Sequence, residues 1–91
     1  MTRIVIKTLL WDAYNIEHIK KHHVTMSEVE AAANHITWHK RTHHGRYLAT
    51  GRSGSRILSV IIRRKDTKTY YLVTARDASR DERKKLYERN I

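Results

Sequence analysis

The chain has 91 residues, enough for a single domain, 1–91, in which roughly 60–70% of the unfolded surface is buried on folding. Cysteine is absent, which excludes disulfides, thiolate metal sites and thiol nucleophiles and leaves a fold indifferent to redox compartment. The formal net charge of +10 is unevenly spread: residues 1–45 carry six Lys/Arg against four Asp/Glu, residues 46–91 carry thirteen against five, and all seven histidines lie in the first part.

At the N-terminus, Ile4 and Ile6 alternate with polar neighbours, so a short strand is predicted from Arg3 to Lys7. Lys7 interrupts the apolar run before Leu9-Leu10, so neither a signal sequence nor a membrane span is expected, and a cytoplasmic protein fits. Asp12 is a predicted N-cap for a helix over about Ala13–His23, with Ile16 and Ile19 facing the core. Thr25-Met26-Ser27-Glu28 is a capping box, and Met26, Val29, Ala32 and Ala33 give the apolar stripe of a second helix that stops near Asn34.

His35 to Lys40 reads as an edge strand and Thr42 to Gly45 as a polar turn. Arg46–Arg52, Ile57–Arg64 and Thr69–Arg76 are β-rich runs with short connections, which predict an antiparallel meander. Ile57 to Ile62 is apolar on both faces, so it is the expected central strand, with helices on one side. Ser79-Arg80-Asp81-Glu82 is another capping box and opens a C-terminal helix with a thin apolar stripe of Leu86, Tyr87 and Ile91. The expected order is β-α-α-β-β-β-β-α, an α+β domain.

A strongly basic half is an electrostatic footprint for a polyanion. Arg52 and Arg76 each end a predicted strand and Arg56 opens one, so three guanidinium groups would meet on one phosphate if those ends lie together. The plainer reading is that such arginines solvate strand ends or pair with Asp77 and Glu82. His18 and His22 stand four apart on the first helix and share a face, where an imidazole can serve as base or acid. These two, or His39 with His43 or His44, have a spacing compatible with zinc, but no HExxH pattern or cysteine supports a metal, and no cofactor is expected.

In order and spacing, Trp11-Asp12, His18-Ile19, Lys21-His22-His23-Val24 with Glu28, Gly51-Arg52 with Arg56-Ile57-Leu58, and Thr74-Ala75-Arg76 with Glu82-Arg83 and Tyr87 resemble the BrnT family. That family comprises small ribonuclease toxins of bacterial type II toxin–antitoxin systems with a RelE-like fold. Two departures stand out: His23 occupies a position where the family usually has glycine after its Lys-His pair, and Ser55 another before the second arginine of the Gly-Arg hairpin.

The resemblance implies a metal-independent endoribonuclease that cleaves RNA by 2′-OH attack on the adjacent phosphate. It further implies neutralisation by a BrnA-like ribbon-helix-helix antitoxin, through which alone DNA would be contacted. Such chemistry needs a base, cations on the phosphorane and an acid for the leaving oxygen. The candidate catalytic residues are His22, Arg52, Arg56, Arg76 and Glu82, with Glu82 better explained as a cap. Lys21, Arg80, Arg83 and Tyr87 are candidate RNA contacts, although Tyr87 also suits a core anchor. The alternative is a non-catalytic RNA-binding or antitoxin-binding module with the same fold.

Overall fold

A computed structural model describes residues 4–89, with side chains described through Leu86. Strand β1 (Thr8–Leu10) leads into helix α1 (Ala13–Lys20) and helix α2 (Met26–Asn34). Strands β2 (Ile36–Arg41), β3 (Arg46–Ser53), β4 (Arg56–Asp66) and β5 (Thr69–Asp77) follow, and helix α3 (Arg80–Arg89) ends the described chain. The sheet order is β1-β5-β4-β3-β2, with β4 at the centre as expected.

The four consecutive strands form the expected antiparallel meander, but β1 pairs with β5 in parallel, so the sheet is mixed. The first strand lies later than the Arg3–Lys7 prediction. Pairing begins where the backbone N–H groups of Lys7 and Thr8 reach the carbonyl of Lys68, at 2.9 and 3.1 Å. The alternation upstream still reports burial, with Ile4 and Ile6 inside and Val5 outward, but it lacks a ladder.

All three predicted helix starts carry side-chain caps. Asp12 and Asn15 form a reciprocal capping box, as do Thr25 and Glu28, and Ser79 and Glu82. Asn15 is wholly buried and does more than cap: its Nδ2 donates to the carbonyls of Leu10 and Leu72, both at 3.0 Å, tying α1 to the end of β1 and the middle of β5.

Helix α1 ends at Lys20 rather than at His23. The N–H groups of His23 and Val24 return to the carbonyls of Lys20 and Ile19, a Schellman closure that puts His23 in the left-handed region at φ 57°. His23 thus holds a conformation that glycine adopts most easily. Ser55 has a different explanation. In the hairpin Gly54-Ser55 only Gly54 has positive φ, at 61°, so the second turn residue places no demand for glycine.

The apolar core of Ile19, Val24, Val29, Ala32, Leu58, Val60, Ile62, Leu72 and Ala75 lies between the sheet and the α1–α2 pair. Helices occupy both faces, not one as predicted. On the opposite side α3 lies over β2 and β3 and buries Leu86 completely. Ile91 of the expected stripe lies outside the described residues. Among the described residues no helix is long and apolar enough to cross a membrane.

Candidate functional site

Register decides which side chains meet. Thr50 lies opposite Ser59, Arg52 opposite Ile57 and Arg46 opposite Arg63 across β3 and β4, while Ser59 faces Arg76 and Ile61 faces Thr74 across β4 and β5. With side chains alternating along each strand, Arg46, Thr50, Arg52, Ser59, Arg63, Thr74 and Arg76 share the face away from α1 and α2. Much of this open face is cationic, and α3 covers one part of it.

At the edge of α3, the Arg76 guanidinium donates to both carboxylate oxygens of Glu82, at 2.8 and 2.9 Å. Ser59 Oγ donates to Glu82 Oε1 at 2.6 Å and is itself 3.0 Å from Thr50 Oγ1, so Thr50 donates to Ser59 in turn. Thr50 and Ser59 are wholly buried beneath the pair. Glu82 also accepts the Ser79 backbone N–H at 2.9 Å. With Arg76 as the main cause and Ser59 and Ser79 adding to it, the Glu82 carboxyl is held down at about 2 despite its partial burial. The Arg76 guanidinium is correspondingly raised, chiefly by Glu82.

Arg56 lies on the other face. Its Nη1 donates to both Glu28 oxygens (3.0 and 2.9 Å) and to the His23 carbonyl (2.8 Å), while Nε and Nη2 donate to Asp77 at 2.7 and 3.2 Å. Asp77, and after it Glu28, raise the Arg56 guanidinium; Asp77 is lowered chiefly by Arg56, and Glu28 chiefly by the Thr25 backbone N–H with Arg56 adding to it. Arg56 thus clamps the α1–α2 turn and α2 to the end of β5. The three arginines do not converge: Arg56 faces the helices, and Arg52 and Arg76 share the open face with β4 between them.

The remaining candidates surround this core. Arg52 is exposed near the end of β3 and lines a shallow groove with His35, Ile36 and Thr37. His22 and Lys21 are exposed in the turn after α1, with the His22 ring 5.7 Å from that of His18, so the expected shared face exists. Arg80 and Arg83 are exposed on the first turns of α3, and the side chain of Tyr87 lies outside the described part. Trp38 on β2 receives the ammonium groups of Lys40 and Lys85, each 5.9 Å from a ring centroid. Among the described residues no three His, Asp or Glu side chains are grouped closely enough to hold a metal ion.

Sequence reading missed Ser59 and Thr50, the buried hydroxyls under the ion pair. A signal existed, because both are polar residues set among apolar neighbours in the two most strand-like runs. It also missed Arg46, Arg63 and Thr74, which share a face because Arg46 pairs with Arg63 and Thr74 with Ile61; the register slip at Val73 between β4 and β5 adds Tyr71 to them.

No protein-family model matches the sequence, and no curated protein matches it. A solved structure does: the 1.1 Å crystal structure of the Brucella abortus ribonuclease toxin BrnT is similar at a TM-score of 0.64 with 22% identity, over 80% of this chain and 97% of that one. The chain is therefore a small α+β domain of three helices and a five-stranded mixed sheet with the fold of that BrnT structure.

Proposed function

We propose that the chain is a cytoplasmic RNA-cleaving toxin of the BrnT kind, held inactive by a BrnA-like ribbon-helix-helix antitoxin. The observation that carries this reading is the open sheet face, to which Arg46, Arg52, Arg63 and Arg76 all point and on which Arg76 is paired with the Glu82 carboxylate. Its support from outside the chain is the fold shared with a ribonuclease toxin.

The reaction divides among these groups as follows. Arg76 offers a planar fork to the scissile phosphate and stabilises the charge that develops on the phosphorane. A phosphate that takes over Arg76 removes the main cause holding Glu82 down, so the carboxylate becomes a stronger base where the 2′-OH proton must be accepted. The O2′–P bond forms as Glu82 takes the 2′-OH proton, the P–O5′ bond breaks, and the 5′-oxygen takes a proton from water, leaving a 2′,3′-cyclic phosphate and a 5′-hydroxyl. No metal takes part. Arg52, Arg80 and Arg83 contact flanking phosphates.

A second reading, a non-catalytic RNA- or antitoxin-binding module, is favoured by one fact: Arg76 is already satisfied by Glu82 at both oxygens. RNA degradation by purified protein in EDTA separates the two, comparing wild type with Arg76→Ala and His22→Ala. Cleavage by wild type that falls by about 100-fold or more in Arg76→Ala supports the enzyme. Cleavage undiminished from wild type in both variants rejects the site, and no cleavage by wild type, with or without ribosomes, supports the binding module.

A further inference from the structure

A cleft of about 480 Å³ opens beyond the Arg76–Glu82 pair, where Arg46, Arg63 and Thr74 of the open sheet face meet Tyr14 and His18 at the exposed side of α1. Arg46 and Arg63, directly opposite each other on β3 and β4, enter it with Lys65 and Thr74, and among the described residues no Asp or Glu lines it. Like charges opposed across a ladder are destabilising, and here no neighbouring carboxylate in the lining offsets them. Two polar atoms of the lining, Arg46 Nε and Thr74 Oγ1, are buried and without a hydrogen-bond partner among the described residues. Buried donors are rarely left so. The cleft therefore concentrates guanidinium charge and free donors where an anion would satisfy both.

Its other wall is aromatic. Tyr14 on α1 stacks on His18, centroids 5.9 Å apart and planes 22° from parallel, and His22 continues the series one turn further on. Tyr14 is 71% exposed, more than any other large apolar side chain described. An aromatic of this kind set beside a cationic lining matches the needs of a nucleotide, which brings a phosphate and a flat base together.

We propose that this cleft is a nucleotide subsite in which Arg46, Arg63 and Thr74 hold a phosphate of single-stranded RNA and the adjoining base stacks on Tyr14. The choice of RNA as ligand rests on the function proposed above. Thr74 and Arg76 are two residues apart on one face of β5, about 7 Å, so a strand seated in the cleft continues toward Glu82.

The test uses a fluorescein-labelled, uncleavable 2′-O-methyl tetranucleotide and the full chain, read by anisotropy over a series of salt concentrations. Arg63 and Tyr14 are exposed, so Arg63→Ala and Tyr14→Ala leave the fold intact, which circular dichroism checks. Arg63→Ala is expected to weaken binding about ten-fold and to lower the salt slope by about one. Tyr14→Ala is expected to weaken it about five-fold or more with the slope unchanged. Binding equal to wild type in both variants overturns the proposal. Loss in Arg63→Ala alone also overturns it and leaves a bare anion site, which inorganic phosphate would then fill as competitor equally well in wild type and Tyr14→Ala. A wild type that shows the expected binding pattern yet leaves ordinary RNA uncut supports the subsite and rejects the ribonuclease reading, so the two fail separately.

Discussion

Glu82 joins two levels of the structure: its carboxylate closes the N-terminal cap of α3 through Ser79, and the same two oxygens receive the Arg76 guanidinium at 2.8 and 2.9 Å. One side chain thus fixes where the helix starts and how it sits on the sheet. Because Ser59 and Thr50 are buried below it, the pair stands on a hydrogen-bonded base rather than on solvent.

This arrangement gives the first prediction. Glu82 titrates at about 2 in the folded chain against 4.5 when unperturbed. A lowered folded-state value means that the stabilisation is complete above about pH 4.5 and is lost as the pH falls from there toward 2. Glu82→Gln is expected to cost about 1–3 kcal/mol at pH 7, where Arg76 loses its charge partner. In urea titrations from pH 7 to pH 2.5, the stability of wild type falls more steeply than that of the variant. Parallel curves would show that Glu82 is not what the acid limb reports.

A second prediction concerns Gly51, which meets the end of α2 backbone to backbone. A Cβ built there lies 2.2 Å from the Ala32 carbonyl oxygen and 2.9 Å from that of His35. Neither atom belongs to a flexible side chain, so the helix end would have to lift off β3. Gly51→Ala is expected to destabilise by about 3 kcal/mol or more. The midpoint of urea unfolding measures it, and a change below about 1 kcal/mol would mean that α2 moves freely at this contact.

What could be read from the residues alone follows the range of the interactions. The caps at Asp12, Thr25 and Ser79 are signalled within three residues and all form. The four meander strands are bounded by turns that are equally local. The parallel pairing of Leu9 with Tyr70 is not local, and nothing in either segment announces it. The placement of Arg56 is an intermediate case. A two-residue turn at Gly54-Ser55 pairs Ser53 with Arg56 and Arg52 with Ile57, and adjacent pairs point to opposite faces, so the separation of Arg52 from Arg56 follows from the turn length. The cleft was beyond such reasoning, because the slip at Val73 breaks the alternation that would otherwise place Tyr71 and Thr74 on opposite faces.

His23 supplies a third prediction. It holds a left-handed conformation with φ 57° in order to close α1, and its carbonyl, not its imidazole, receives Arg56. Left-handed backbone costs an L-residue about 1–2 kcal/mol, of which glycine returns part as unfolded-state entropy. His23→Gly is therefore expected to raise stability by about 0.5–1 kcal/mol. For a domain of this size that is a rise of roughly 2–8 °C in Tm. Calorimetry at pH 7 measures it, and a lower Tm would show that the imidazole contributes more than the backbone strain costs.

The last prediction sets Arg56 against Arg52, neighbours in sequence with opposite surroundings. Arg56 is only 26% exposed at the side chain and is bonded to Glu28, Asp77 and the His23 carbonyl. Removing it leaves Asp77 and the His23 carbonyl without this donor and Glu28 with the Thr25 N–H alone, so Arg56→Ala is expected to lose about 1–2 kcal/mol of stability. Arg52 is exposed on the open face, and Arg52→Ala is expected to change stability by less than about 0.5 kcal/mol. RNA affinity should order the two the other way: Arg52→Ala weakens binding and lowers the salt slope, whereas Arg56→Ala, measured well below its unfolding midpoint, keeps both near wild type. Anisotropy with the uncleavable tetranucleotide and urea unfolding on the same samples give the comparison. If Arg56→Ala lowers the salt slope as much as Arg52→Ala does, the helix-bearing face also meets phosphate, and the division of the two faces into a structural and an RNA-facing side is wrong.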